Sequence, residues 1–290
     1  MKTKYQLILV LLVYAFCAKA QPATDIILFD LTSTTDEFSI SNPVNISQHF
    51  GYDNQPFFIP NKDQILYSSQ RGDQTDVYRY DIANGTSIAV TSTPGGEYSP
   101  TITPDKKHFS CIILESSGRQ LLWQYNADGS NPKVLVPDLK IGYHCWVNDQ
   151  LIGAYVLGEP STFQFCYLKE QRNEIITTNT GRSIHRIPGS SLVSFVDKSQ
   201  ARWIVKSYDY LTGQIDSLTT CLPGSEDMAW SSDGTLFMGQ NSQLFSWDQT
   251  KKGEWKLVSD LSEFGFQKIT RLAIDQDGNR IAIVVDDSVK

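Results

Sequence analysis

The sequence predicts an all-β chain, a six-bladed β-propeller of four-stranded blades closed by N-terminal strands pairing with a C-terminal hairpin. Three observations predict it. Helical periodicity is almost absent, and short β-branched and aromatic runs alternate with Asp, Asn, Gly and Pro turns. Two kinds of segment recur with a period of 42–44 residues, the spacing of propeller blades. Finally, the chain begins with one kind of segment and ends with the other, so six whole units exist only if its ends join.

The first kind is a turn that introduces an apolar strand. Its clearest copy is Glu97-Tyr98-Ser99-Pro100-Thr101-Ile102-Thr103-Pro104-Asp105, followed by the run Phe109 to Leu114. Further copies are Asp53 to Asn61 before Ile65-Leu66-Tyr67, and Tyr143 to Asp149 before Leu151-Ile152. The remaining three are His185 to Gly189, Asp227 to Gly234 and Thr270 to Gly278, each before its own apolar pair or triplet. Turn acids Asp105 and Asp149 lie 44 residues apart, as do Asp233 and Asp277.

The second kind is a strand with an aliphatic start, an aromatic end and a closing Asp or Asn. It reads Val77 to Asp81, Leu122 to Asn126, Val205 to Asp209 and Leu244 to Asp248, and degenerates around Phe165 to Leu168. One more copy, Ile26 to Asp30, opens the chain. Strands near 25–31 and 37–41 are therefore expected to share a blade with the hairpin near 269–285. Such closure removes exposed sheet edges, which otherwise recruit other chains, and no capping repeats of a linear solenoid are visible.

Residues 1–20 read as a signal peptide. Lys2 and Lys4 precede the apolar run Leu7 to Phe16, and Ala18-Lys19-Ala20 offers a small-x-small cleavage site before Gln21. The run falls short of the roughly 20 residues a membrane span needs. Residues 21–290 are expected to form a single domain, free and monomeric, in the periplasm or outside the cell. Losing Lys2, Lys4 and Lys19 takes the basic residues from 25 to 22 against 32 acids, so nucleic acid is excluded as a partner. Four cysteines remain. None has zinc-ligand spacing, all sit in strand-like contexts, and Cys145 with Cys166 is the pair to test for a disulfide because both fall in one repeat.

The string Glu97-x-x-Pro100-x-x-x-Pro104-Asp105, and Tyr67 to Asp73 leading to Asp76-Val77-Tyr78, resemble the repeat of TolB-like propellers. The resemblance spans residues 25–290, with repeats one and two the best copies. It implies the fold. For function it implies a protein-docking platform in the periplasm, part of a peptidase, or a module of other role. TolB carries an additional N-terminal domain and propeller peptidases a hydrolase domain; neither is expected beside this propeller, and neither specific activity is carried over.

No catalytic motif is found. Gly189-Ser190-Ser191-Leu192 does not make a hydrolase elbow, no His-Glu-x-x-His is present, and Asp73, Asp76 and Asp81 read as hairpin acids rather than a calcium loop. One constellation stands out. Aligning repeats on their turn acids puts Pro56, Pro100, His144, His185, Met228 and Leu272 at one level, preceded by Gln55, Ser99, Tyr143, Ile184, Asp227 and Arg271. Candidate binding residues at the channel mouth are thus Glu97, Tyr98, Tyr143, His144, His185, Glu226, Asp227 and Arg271. No catalytic residue, metal ligand or cofactor is assigned. The expected function is a non-enzymatic scaffold for another envelope or extracellular protein, or for a small polar ligand. The alternative is a metal-assisted lyase or hydrolase acting on a sugar acid or lactone, with His144 and His185 as neutral ligands.

Overall fold

Six four-stranded antiparallel sheets stand around a central channel, five of them running from an innermost to an outermost strand in sequence order, in a computed structural model that describes residues 21–35 and 37–286. The leader read from residues 1–20 lies outside the described residues. The innermost strands of blades one to six are Asp53–Phe58, Gly96–Ile102, Ile141–Asn148, Thr180–Arg186, Met228–Trp230 and Ile269–Ile274. The second and third strands of blade one are Gln64–Arg71 and Gln74–Asp81, and its outermost is Thr86–Ala89. Among the described residues, helix is confined to one 3-10 turn, Leu261–Phe264.

The core explains why the middle strands read as continuous apolar runs. It consists of six hydrophobic clusters, and each lies at the junction of two neighbouring blades. A strand in the middle of a blade is buried on both faces, and the period-two pleat sends alternate side chains to alternate junctions. In blade six, Ile27, Phe29 and Leu31 pack against blade five, while Ile26 and Leu28 pack against blade one.

Blade six takes two strands from each end of the chain, in the order Phe38–Asn45, Thr24–Ser33, Arg280–Asp286, Ile269–Ile274. Thr24 to Asp30 pair antiparallel with Asp286 to Arg280 without a break. The connection onward into blade one is clasped by side chains. Thr24 Oγ1 donates to the Asp53 carbonyl at 2.9 Å, and buried Asp53 meets His49 Nδ1 at 2.7 Å and accepts from Ser69 Oγ at 2.5 Å. His49 thus helps fix the junction between the last blade and the first.

Pro56 and Pro100 lie within innermost strands, where neither can donate to the ladder. The register slips at just those places, between Asn54 and Phe57 and between Tyr98 and Thr101. The residues before them, Gln55 and Ser99, adopt left-handed conformations with φ of 57° and 54°. An innermost strand tolerates this because its free edge faces the channel.

The four described cysteines are free thiols. Cys145 pairs with Gly153 and Cys166 with Ile152, so the second strand of blade three lies between them. Two strand spacings of roughly 4.8 Å each exceed the Cα separation of about 4.4–6.8 Å that a disulfide spans. Shared membership of a repeat therefore does not bring them into bonding range.

Candidate functional site

The channel is divided at its waist by a charged network to which five blades contribute. Arg271 of blade six is the hub. Its Nε donates to Asn54 Oδ1 of blade one at 2.8 Å, its Nη1 to Asp227 Oδ1 of blade five at 2.9 Å, and its Nη2 to the Tyr143 hydroxyl of blade three at 2.6 Å. Arg182 of blade four donates from Nε to Asp227 Oδ1 at 3.1 Å and from Nη2 to Asp227 Oδ2 at 2.5 Å. Burial by itself would raise the Asp227 carboxyl, but Arg271 and Arg182 hold it below its ordinary value, so the aspartate is ionised.

Two cavities meet at this waist. The larger, about 780 Å³, opens where the innermost strands turn into their hairpins. Its wall carries Phe57, Trp146, Tyr210 and Trp230 with Pro56, Pro60, Pro100, Pro104 and Pro188, while Arg271, Asp227, Arg182 and Tyr143 lie at its inner end. The smaller, about 440 Å³, opens on the opposite face, where the chain enters the innermost strands. Gln21, Pro22 and Glu226 line it. Glu226 Oε2 accepts from the Arg182 backbone N–H at 3.0 Å and from Lys198 Nζ at 3.3 Å. The preceding Gly181 has no room for a side chain, since a Cβ there would lie 2.6 Å from Glu226 Oε2.

His144 and His185 both line the larger cavity, but they are not equivalent. Register places Ile184 at the level of His144, Met228 and Leu272. The turn of blade four, closed by Ile187 N–H to the Leu192 carbonyl, is longer than the Asn148–Leu151 turn of blade three, and alignment on turn residues slips by one there. A slip of one reverses the facing of a strand side chain. His144 is buried, with Nε2 2.6 Å from Ser110 Oγ, and burial lowers it to about 3. Burial lowers His185 to about 4, with Asp227 opposing and Arg271 assisting, and its Nε2 lies 3.0 Å from Ser183 Oγ. Both imidazoles are therefore neutral. Among the described residues no three His, Cys, Asp or Glu side chains converge as metal ligands.

Of the residues expected at a channel mouth, Tyr143, Asp227 and Arg271 come together at the waist, and Glu226 lies one step toward the smaller cavity. Glu97 lies apart, fully buried and bonded to Thr91 and Thr93. Tyr98 stacks edge-on against Tyr52 and accepts from Gln21 Nε2 at 3.0 Å. Arg182 and Asn54 escaped the sequence reading. With Ile184 in line, Arg182 falls at the level of Glu226 and Asn54, and only the shifted register of blade four reveals it.

No protein-family model matches the chain, and no curated protein matches its sequence. Solved structures do match. A putative TolB from Agrobacterium tumefaciens superposes with a TM-score of 0.71, at 13% identity over 92% of this chain and 99% of that one. The fold is that of the TolB-like propellers. The same TolB-like ring matches a chain of a nidogen/laminin complex (TM-score 0.67, 9% identity, 86% and 97% covered). It also matches an oligogalacturonate lyase in complex with manganese (0.58, 13%, 87% and 84%). At such identities the likeness establishes architecture alone, because propellers host unrelated functions.

Proposed function

We propose that this chain is an exported, non-enzymatic binding propeller of the cell envelope or exterior, whose ligand or protein partner seats in the 780 Å³ cavity. The observation that carries the reading is the state of that cavity's polar side chains. Asp227 is held by two arginines, Arg271 donates to three blades, and burial lowers His144 and His185 to about 3 and about 4. Such a site offers fixed charge and shape, with imidazoles too weakly basic at neutral pH to take a proton. The TolB and nidogen/laminin likenesses fit a scaffold role. No described helix is long and apolar enough to cross a membrane.

The test is capture of a partner from native envelope extract by the wild-type chain and by Lys106→Glu/Arg186→Glu, which reverses charge at the cavity rim. A partner retained by the wild type and released by the variant is the expected result. Equal capture by both, or none by either, would remove the reading. The lyase or hydrolase alternative draws on the two histidines that line one cavity and on the manganese-bound neighbour. It requires stoichiometric metal, which elemental analysis of protein purified without chelator measures directly.

A further inference from the structure

The larger cavity differs from the rest of the molecule in charge. Its lining carries Lys106, Arg182, Arg186 and Arg271 against only Asp149 and Asp227, in a chain whose net charge is −7. The smaller cavity is balanced, with Arg182, Lys268 and Arg271 facing Glu226, Asp227 and Asp286. Lys106 and Arg186 stand exposed at the rim of the larger cavity, and Arg182 and Arg271 lie half-buried at its inner end around Asp227, so an anion entering it meets a net positive lining.

Specific donors and acceptors are left over as well. Arg182, which lines both cavities, commits Nε and Nη2 to Asp227 and has no hydrogen-bond partner at Nη1 among the described residues. Two lining residues carry buried polar atoms without a partner, Ser99 Oγ and His144 Nδ1. The Ser110 hydroxyl accepts from Trp146 Nε1 at 2.9 Å and has one proton for two acceptors, His144 Nε2 at 2.6 Å and the Thr101 carbonyl at 3.3 Å. In either tautomer His144 Nδ1 is left unpaired, and a polar group of the occupant that reaches it relieves the cost of burying it so. Opposite lie Phe57, Met228, Trp230 and Leu272, an apolar arc.

The geometry points to a carboxylate ligand with an apolar body and a hydroxyl or amide group: the carboxylate on Arg182, the hydroxyl or amide on the His144–Ser99 side, the body against the apolar arc. The inference rests on the binding reading above and narrows it to one chemistry. That chemistry is found in a small hydroxy acid and equally in the free C-terminus of a polypeptide ending in an apolar residue.

Calorimetric titration of the wild-type chain separates these sources. One pair of probes is 4-hydroxyphenylacetate and its neutral amide; the other is the peptide acetyl-Gly-Ser-Gly-Phe with a free or an amidated C-terminus. A charge-assisted hydrogen bond lost from a recess of this kind weakens binding about tenfold or more. The expected result is saturable binding of at least one acid, with its amide at least about tenfold weaker, and which acid binds identifies the source. Arg182→Met is expected to lose the preference for acid over amide. Arg172→Met, an equal charge change on the exposed outermost strand of blade three, is expected to keep it. Circular dichroism confirms that both variants are folded. Acids and amides binding alike, or no heat from any probe, overturns the carboxylate assignment. Partner capture that still depends on the rim charges would then leave the broader binding reading standing.

Discussion

Replacing Asp227 by Asn tests the waist most directly. The amide keeps the shape and one acceptor. It puts an NH2 group where Oδ2 faced Arg182 Nη2, and it strips Arg182 and Arg271 of their shared counter-charge. Removing one partner of a buried pair costs about 3–5 kcal/mol. Here the Asp227 and Arg271 side chains keep 16% and 14% of their exposure and Arg182 keeps 35%. Solvent screens part of the loss, so about 2–3 kcal/mol is expected at pH 7. For a chain of this size that lowers Tm by about 4–10 °C. Urea unfolding of wild type and variant across a pH series is the assay. The folded carboxyl is depressed below its ordinary value of 3.8, so its contribution is complete above that value and is lost as pH falls through the folded one. The two proteins should therefore differ by a constant amount at neutral pH and converge only in strong acid. A variant within about 0.5 kcal/mol of wild type at pH 7, the scatter of ordinary surface substitutions, would refute the claim that this network braces the ring.

Glu97 should act in the opposite sense. Burial, with Asp76 adding to it, pushes its carboxyl up to about 8 from an ordinary 4.5, so the folded chain holds a proton that the unfolded chain releases. Stability should fall as pH rises from about 4.5 to 8, and Glu97→Gln should flatten that decline; parallel profiles for the two proteins would contradict it. Gly239→Ala should destabilise by about 1–3 kcal/mol through overpacking, since its Cβ would lie 2.4 Å from Ile269 Cγ2 across the junction of blades five and six; denaturant midpoints read this out. Phe29→Ala should cost about 3–5 kcal/mol, because this ring of the N-terminal strand is buried at the junction of blades five and six. An unchanged midpoint would deny the N-terminal strand its place in the core. Cys111, Cys166 and Cys221 should resist a thiol reagent at pH 8 until the chain is unfolded, because they are buried and burial raises Cys166 and Cys221 to about 12 and Cys111 well above its ordinary value.

The sequence by itself determined the class of fold, because a repeat encodes architecture locally. Each turn acid and each aromatic-ended strand, Val77 to Asp81 or Leu244 to Asp248, carries its own blade's pattern, and half-units at the two ends imply a ring. The middle strands themselves were legible too, since burial on both sides leaves an unbroken apolar run such as Ile26 to Phe29. Only the tertiary structure decided the site. Arg271, Asn54, Tyr143 and Asp227 are up to 217 residues apart and meet because a closed ring points its innermost strands at one axis. A spacing rule cannot see across a channel. Nor could it fix the level of His185, because one longer hairpin shifts a strand by a residue and a shift by a residue changes which way a side chain faces. The same geometry keeps Cys145 from Cys166: repeats report which blade a residue belongs to, and the strand lying between the two sulfurs appears only when the sheet is assembled.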